Sequence, residues 1–520
     1  AELVASLSTH HNLKTLSLDV SESGGKQWCI ALGNLLQNPE SKLEKLIFDD
    51  SNINDEVAAA LGGALGKNNK LKKLSFDYVK SITSTGWVAL FEGLLTNTNS
   101  SLEELDISYS NGIDDKALLT FAAEYAIAGN RSLRTLEFAR FSTEQINISI
   151  WGTLFRSLFN PVSVLEKLNL YGRNINDEGL EVLGTVLGNN STLKVLNFGR
   201  KRNITSAGWV AFLRGVSDGQ TSALQEFNGQ NNNIDDEGLA AFANVVSNNP
   251  KLKIIYLYSN QSISAAGWQT FFTSLQNFDT DTLLEELYLW NNNINDAAVT
   301  SMVDALNGIE SLTRLDLSYN PFSSAGWIAL SALLQHPNSS LKDLAIATDG
   351  VNTINDEVVA SYANALVNNK SITTLDFGGE DSNAITARGW VALANVLCNK
   401  TSIESIYSSN HTLYHVGHWS SDSSNRPTNL LSLLALNKDK NKSEVARQKI
   451  VQYHFTNAGK IEDFVDMDVN VMPHAISWIG RDKALHSLLY NVVRGMPTLF
   501  DSDAKAKAAA AGIKRKIGCY

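Results

Sequence analysis

Leu284-Glu-Glu-Leu-Tyr-Leu-Trp-Asn-Asn-Asn-Ile294 opens with leucine, repeats it at the fourth and sixth places, and closes on asparagines and an isoleucine. Leu287 and Leu289 alternate with Tyr288 and Trp290, a period of two, so a strand here buries one face and leaves the other open. The same form recurs at Leu43-Glu-Lys-Leu-Ile-Phe-Asp-Asp-Ser-Asn-Ile53 and Leu165-Glu-Lys-Leu-Asn-Leu-Tyr-Gly-Arg-Asn-Ile175. Working outward, copies begin at Leu13, Leu43, Leu71, Leu102, Leu133, Leu165, Leu193, Leu224, Leu252, Leu284, Leu312, Leu341, Ile372 and Ile403, with a degenerate copy at Leu431. After each strand the period lengthens to that of a helix, as in Gly179-Leu180-Glu-Val182-Leu183-Gly-Thr-Val186-Leu187. Each unit is therefore one strand and one helix, which cannot bury its apolar side alone and must stack on its neighbours.

The form L-x-x-L-x-L-x-x-N-x-I resembles the leucine-rich repeat from Leu13 to about Asn437, and spacings of 28 to 32 residues resemble its intracellular, ribonuclease-inhibitor-like subclass. The resemblance implies an α/β solenoid with parallel strands lining a concave face and helices on the convex side. Strands about 4.8 Å apart beneath helices about 10 Å apart make such a stack curve into a horseshoe. Residues 13–456 are expected to form one such array of about fifteen repeats, where length alone would suggest several domains.

A second periodicity overlies the first. Odd repeats carry Trp28, Trp87, Trp151, Trp209, Trp268, Trp327 and Trp390, mostly as a Gly-Trp pair. Even repeats open their helices with Asn54-Asp55-Glu56, Asn176-Asp177-Glu178, Asp235-Asp236-Glu237 or Asn355-Asp356-Glu357. The tryptophans are expected to pack between convex helices, and the acidic triplets to cap helix N-termini, with Ser206 and Ser264 in the matching place of odd repeats.

Residues 1–12 read as the tail of a preceding repeat helix, as though more chain lay upstream. A helix from Lys442 to Phe455 completes the last repeat. Residues 457–500, with Leu485, Leu489 and Val492 at helical spacing between Pro473 and Pro497, read as a helical C-terminal cap, and 501–520 as a flexible basic tail. A repeat array followed by such a cap is similar to repeat proteins numerous in single-celled algae.

Chemistry-bearing motifs are sparse. The sequence has no G-x-x-x-x-G-K-[ST] loop, G-x-S-x-G elbow or H-E-x-x-H helix. No catalytic, cofactor-binding or metal-binding residue is expected; His411, His415 and His418 beside Trp419 read as surface histidines of an irregular repeat. Net charge −11 disfavours a nucleic-acid partner, and three cysteines in 520 residues exclude a disulfide framework. No membrane or small-molecule partner is expected, and the place of action is expected to be cytoplasmic.

The open strand face remains. Its side chains are acidic early on, at Asp19, Asp49, Asp77, Glu104, Asp106 and Glu137. They then change to Tyr171, a basic loop Arg200-Lys-Arg202, and a two-by-two aromatic patch of Tyr256, Tyr258, Tyr288 and Trp290, continued by Arg314, Asp316 and Tyr319. Tyr, Trp and Arg dominate interface hot spots. The reading is a non-enzymatic scaffold binding another protein at Tyr171, Arg200, Tyr256, Tyr258, Tyr288, Trp290, Arg314 and Asp316. The resemblance also allows a regulator of an enzyme, either an inhibitor like ribonuclease inhibitor or a Ran-type GTPase-activating protein. Those inhibitors are rich in cysteine, and the Ran-type proteins end in an acidic tail where this chain has Lys514-Arg-Lys516.

Overall fold

Most of the alternating segments form a short strand whose central apolar residue, usually leucine, is buried. The computed structural model describes residues 12–19, 26–128, 131–139, 146–201, 203–219, 222–276, 283–348, 353–378, 384–417 and 428–455, and six single positions between 473 and 494. The chain divides into two compact units, Ala1–Ser311 and Leu312–Tyr520.

In the first unit, β1 (Thr15–Leu18), β2 (Lys45–Phe48), β3 (Lys73–Ser75), β4 (Glu104–Asp106), β5 (Thr135–Glu137), β6 (Lys167–Asn169), β7 (Val195–Asn197), β8 (Glu226–Asn228), β9 (Ile254–Tyr256) and β10 (Glu286–Tyr288) pair in chain order. The pairing is parallel and in repeat register, so Tyr288 lies opposite Tyr256 and Leu287 opposite Ile255. A helix follows each strand, from Lys26–Gln37 to Val299–Asn307. In the second unit β11 (Arg314–Asp316), β12 (Asp343–Ala345), β13 (Thr374–Asp376) and β14 (His415–Val416) pair in the same parallel way. This is the leucine-rich-repeat solenoid expected from the sequence.

The core lies between strands and helices. Trp87, Trp151, Trp209, Trp268, Trp327 and Trp390 are buried there; the Trp28 side chain lies outside the described residues. Trp87 meets Phe76 edge-on at 5.5 Å, and Phe76 stacks on Phe48 at 5.4 Å. At the turn after each strand, Asn260 Nδ2 donates to Leu257 O (2.8 Å) and Gly229 O (3.0 Å), and Asn292 repeats the pattern one turn on. These bonds satisfy carbonyls that the short strands leave unpaired.

The acidic triplets cap helices as expected, and do more. Asn54 and Asn176 accept from the amides of Val57 and Gly179 in their own helices. The next residue, an aspartate, reaches the following repeat: Asp177 Oδ1 accepts from Thr205 N (2.9 Å), and Asp236 Oδ1 from Ser264 N (2.7 Å). The cap of the helix Ser206–Asp218 is accordingly Thr205, with Ser206 its first helical residue.

The last repeats differ from expectation. Ile403 begins a helix, Ile403–Tyr407, capped by Ser402 with Ile403 and Ile406 buried. The strand comes later, at His415–Val416, led by Leu413, and Leu431 lies within the helix Thr428–Leu436. The described residues thus hold fourteen strands. The helix Lys442–Ile450 is present and ends in a π-turn, Val451–Phe455. The expected cap at 457–500, apart from its single positions, and the tail at 501–520 lie outside the described residues, as do residues 1–11.

Candidate functional site

On β9 and β10 the alternation turns Ile255, Leu257, Leu287 and Leu289 inward and leaves four aromatic rings on the open face. Tyr256 stacks on Tyr288 with centroids 4.5 Å apart, and Tyr258 on Trp290 at 4.4 Å. Tyr256 meets Tyr258 edge-on at 6.5 Å, joining the two pairs. The rings were expected to be exposed, but all four are half-buried. Parallel strands in register set equivalent side chains close enough to stack, so each ring covers its neighbour. Tyr288 Oη donates to Glu286 Oε2 at 2.6 Å. Burial, then Tyr171 and Tyr256, pushes Tyr258 up to about 12, so it presents a neutral hydroxyl.

The row extends toward β6. A Cβ on Gly199 would lie 2.7 Å from both Tyr171 Cδ2 and Gln230 Cγ, so the absent side chain leaves room for the Tyr171 ring. Gln230 Oε1 is buried with no hydrogen-bond partner among the described residues.

The basic loop is not a basic surface. Arg200 is exposed in the left-handed region at φ 62°, but Lys201 is 2% exposed, donating to Leu170 O and lying 4.8 Å over Phe198. It occupies the turn place that asparagine holds elsewhere; Arg202 lies outside the described residues. In the second unit, Arg314 pairs with Asp343 at 3.6 Å, and Asp316 accepts from Ser318 N at 3.0 Å. Burial pushes the Asp316 carboxyl up.

Toward β3 the open face is acidic. Burial, then Asp106 and Asp49, raises Asp77 to about 6, and its Oδ1 is buried without a hydrogen-bond partner among the described residues. Beside it Tyr78, 44% exposed, stacks on Tyr109 at 4.7 Å. Sequence reading missed this pair because both stand at the eighth place, beyond the alternating stretch. There the chain turns left-handed, at φ 58° and 53°. The recurring signal was the place itself, which also holds Asp50, Ser259, Asn291 and Tyr319 with positive φ.

The histidines are not surface groups alone. His411 is 8% exposed and His415 Nε2 lies 2.7 Å from Gly417 O; His418 and Trp419 lie outside the described residues. Among the described residues no three His, Cys, Asp or Glu are placed to hold a metal ion, and no helix is long and apolar enough to cross a membrane.

A family model described as Leucine Rich repeat matches residues 98–122, 228–243 and 309–331. Ribonuclease inhibitor of Mus musculus is 24% identical over 368 residues, covering 70% of this chain and 76% of its own length. Protein CARMIL of Dictyostelium discoideum is 23% identical over 427 residues, covering 76% of this chain, which spans 40% of that relative's length. Among solved structures, an internalin of Listeria monocytogenes covers 79% of this chain and 88% of its own, at 15% identity and TM-score 0.44.

Proposed function

The chain is a leucine-rich-repeat protein of ribonuclease-inhibitor-like type, and we propose that it is a non-enzymatic scaffold holding another protein against the open strand face of its first unit. One observation carries this reading. Four large rings stand half-buried on the face that no described helix covers, each pair stacked and partly open to a partner. Hot spots are built from such rigid, partly desolvated aromatics. Arg314 and Asp316, grouped with these rings by the sequence reading, lie in the second unit and are engaged there with Asp343 and Ser318.

The test places a photo-crosslinking residue at Tyr256 or Trp290, and as control at Leu119, which is 43% exposed on the helix Asp115–Ala128. Protein adducts specific to the two strand positions are expected, with nucleic-acid adducts absent. Equal labelling from Leu119 would defeat the reading. With the captured protein in hand, Trp290→Ala should weaken binding by about 2 kcal/mol or more, roughly thirtyfold. Its stability cost should stay near 0.5–1.5 kcal/mol, about that of the lost stack on Tyr258.

A second reading, inhibition of a basic enzyme, is favoured by the acidic group Asp49, Asp77 and Asp106. The mouse relative is by name a ribonuclease inhibitor. Titrating the chain into a pancreatic-type ribonuclease assay separates the two: inhibition at equimolar protein supports this reading, and unchanged turnover removes it. An intracellular place of action belongs to the same proposal.

A further inference from the structure

The helix Lys442–Ile450 carries Lys449, whose side chain is fully buried. Its Nζ lies 2.6 Å from Leu397 O at the end of the helix Ala387–Leu397, 3.1 Å from His411 Nδ1 and 3.4 Å from Asn410 O. His411 is buried too, and its Nε2 lies 3.1 Å from Tyr407 O. A carbonyl oxygen only accepts, so Nε2 carries the ring proton and Nδ1 is the acceptor that Lys449 meets. We propose that Lys449 and His411 form a proton-released latch, in which one proton added at His411 Nδ1 turns that acceptor into a donor facing an ammonium group and frees the helix Lys442–Ile450.

Among the described residues the charged groups facing the pair include no carboxylate. Cys398 faces it from the end of Ala387–Leu397, with Lys400 acting on Cys398 in turn. Lys370 approaches from the preceding repeat, with Nζ 3.4 Å from Ser408 O. On the latch helix, Lys442 donates to Asn437 O and Asp439 O, while Glu444 is engaged by Arg447 at 2.9 Å. Beyond the helix, Tyr453 lies under Lys400 at 3.9 Å. Burial, then the Lys449 charge, holds His411 down to about 4; burial holds Lys449 down to about 7. A base whose pKa is lower closed than open favours closure above its open value. His411 therefore supports the latch fully above 6.5 and progressively less as pH falls toward about 4. From pH 7 to 5 the closing equilibrium should fall roughly twentyfold. Lys449 adds little there, because below about 7 it is charged whether closed or open.

Hydrogen exchange of the full 520-residue chain tests this, reading Lys442–Ile450 against the reference helix Asp356–Leu366. After correction for intrinsic exchange, protection of the latch helix should drop roughly twentyfold from pH 7 to 5 while the reference helix holds. His411→Asn puts a non-titrating acceptor near the Nδ1 place and should flatten the profile. A flat wild-type profile, or an equally steep one in His411→Asn, overturns the latch. Should that variant not fold, the wild-type imidazole titration followed by NMR decides: a midpoint near 4 supports the latch, and one at the ordinary 6.5 refutes it.

Discussion

Asp77 shows the open face working against the stability of its own fold. Its neighbours Asp106 and Asp49 and its burial favour the protonated form, raising it to about 6. For an acid raised on folding, the stabilising contribution is complete below the ordinary 3.8 and lost as pH rises through about 6. Asp77→Asn, which imitates the protonated state, should stabilise the chain at pH 7.5 by about 1 kcal/mol after allowing for solvent screening. Near pH 3.5 its melting temperature should match wild type; a variant no more stable at pH 7.5 would show that the charges are already relieved. The same substitution should slow association with a basic partner, most visibly at low salt. The face itself was legible in the sequence, because alternation assigns Tyr256, Tyr258, Tyr288 and Trp290 to one side. The degree of burial was not, since it depends on rings of neighbouring strands choosing rotamers that stack. Lys201 was misplaced for a related reason. Its charge suggested solvent, while the repeat place it occupies points inward and its long stem reaches Leu170 O.

At the scale of the element, the Gly-Trp pairs and acidic triplets prove to be two halves of one joint. Asp356 Oδ1 accepts from Thr386 N (2.8 Å) and Gly389 N (3.1 Å), and its Oδ2 from Thr386 Oγ1 (2.6 Å). A Cβ on Gly389 would come within 2.7 Å of that Oδ1. The glycine is required by the carboxylate of the preceding repeat, and Trp390 beside it fills the core. Gly389→Ala should cost about 1–3 kcal/mol through this clash. Asp356→Ala should cost about 1–2 kcal/mol in lost charge-assisted bonds. In the double variant the clash has no partner, so the two costs should fall short of additive by about 1 kcal/mol in denaturant melts; strict additivity would place the glycine's role elsewhere. Burial opposes ionisation of Asp356, but the Thr386 and Gly389 donors win and hold its carboxyl below 3.8. The joint is therefore intact at neutral pH and weakens only as pH falls through that depressed value. Repeat spacing made these elements legible up to Ile372. It failed at Ile403, where Ile403 and Ile406 sit three apart and suit a helix as well as a strand. Ser402 settles the matter by accepting from Ser405 N.

At the scale of the molecule, a repeat array is stable only where each unit's apolar face is covered by the next, and its last unit needs a different cover. Residues 457–500 are proposed as that cover from sequence alone: Leu485, Leu489 and Val492 share a helical face, and Trp478, Leu488 and Met496 add apolar bulk. The described chain before them ends in the helix Lys442–Ile450, which buries Val445, Ala446, Lys449 and Ile450. Two truncations separate a cover from a passive extension. A chain ending at Thr456 should form soluble aggregates or melt at lower temperature, because the last repeat then exposes apolar surface to water. A chain ending at Phe500 removes only the tail with Ala508–Ala511 and Lys514-Arg-Lys516, and should melt like the full chain and remain monodisperse. If the chain ending at Thr456 is as soluble and as stable as the one ending at Phe500, residues 457–500 are not a cover, and their apolar face is free to serve a partner.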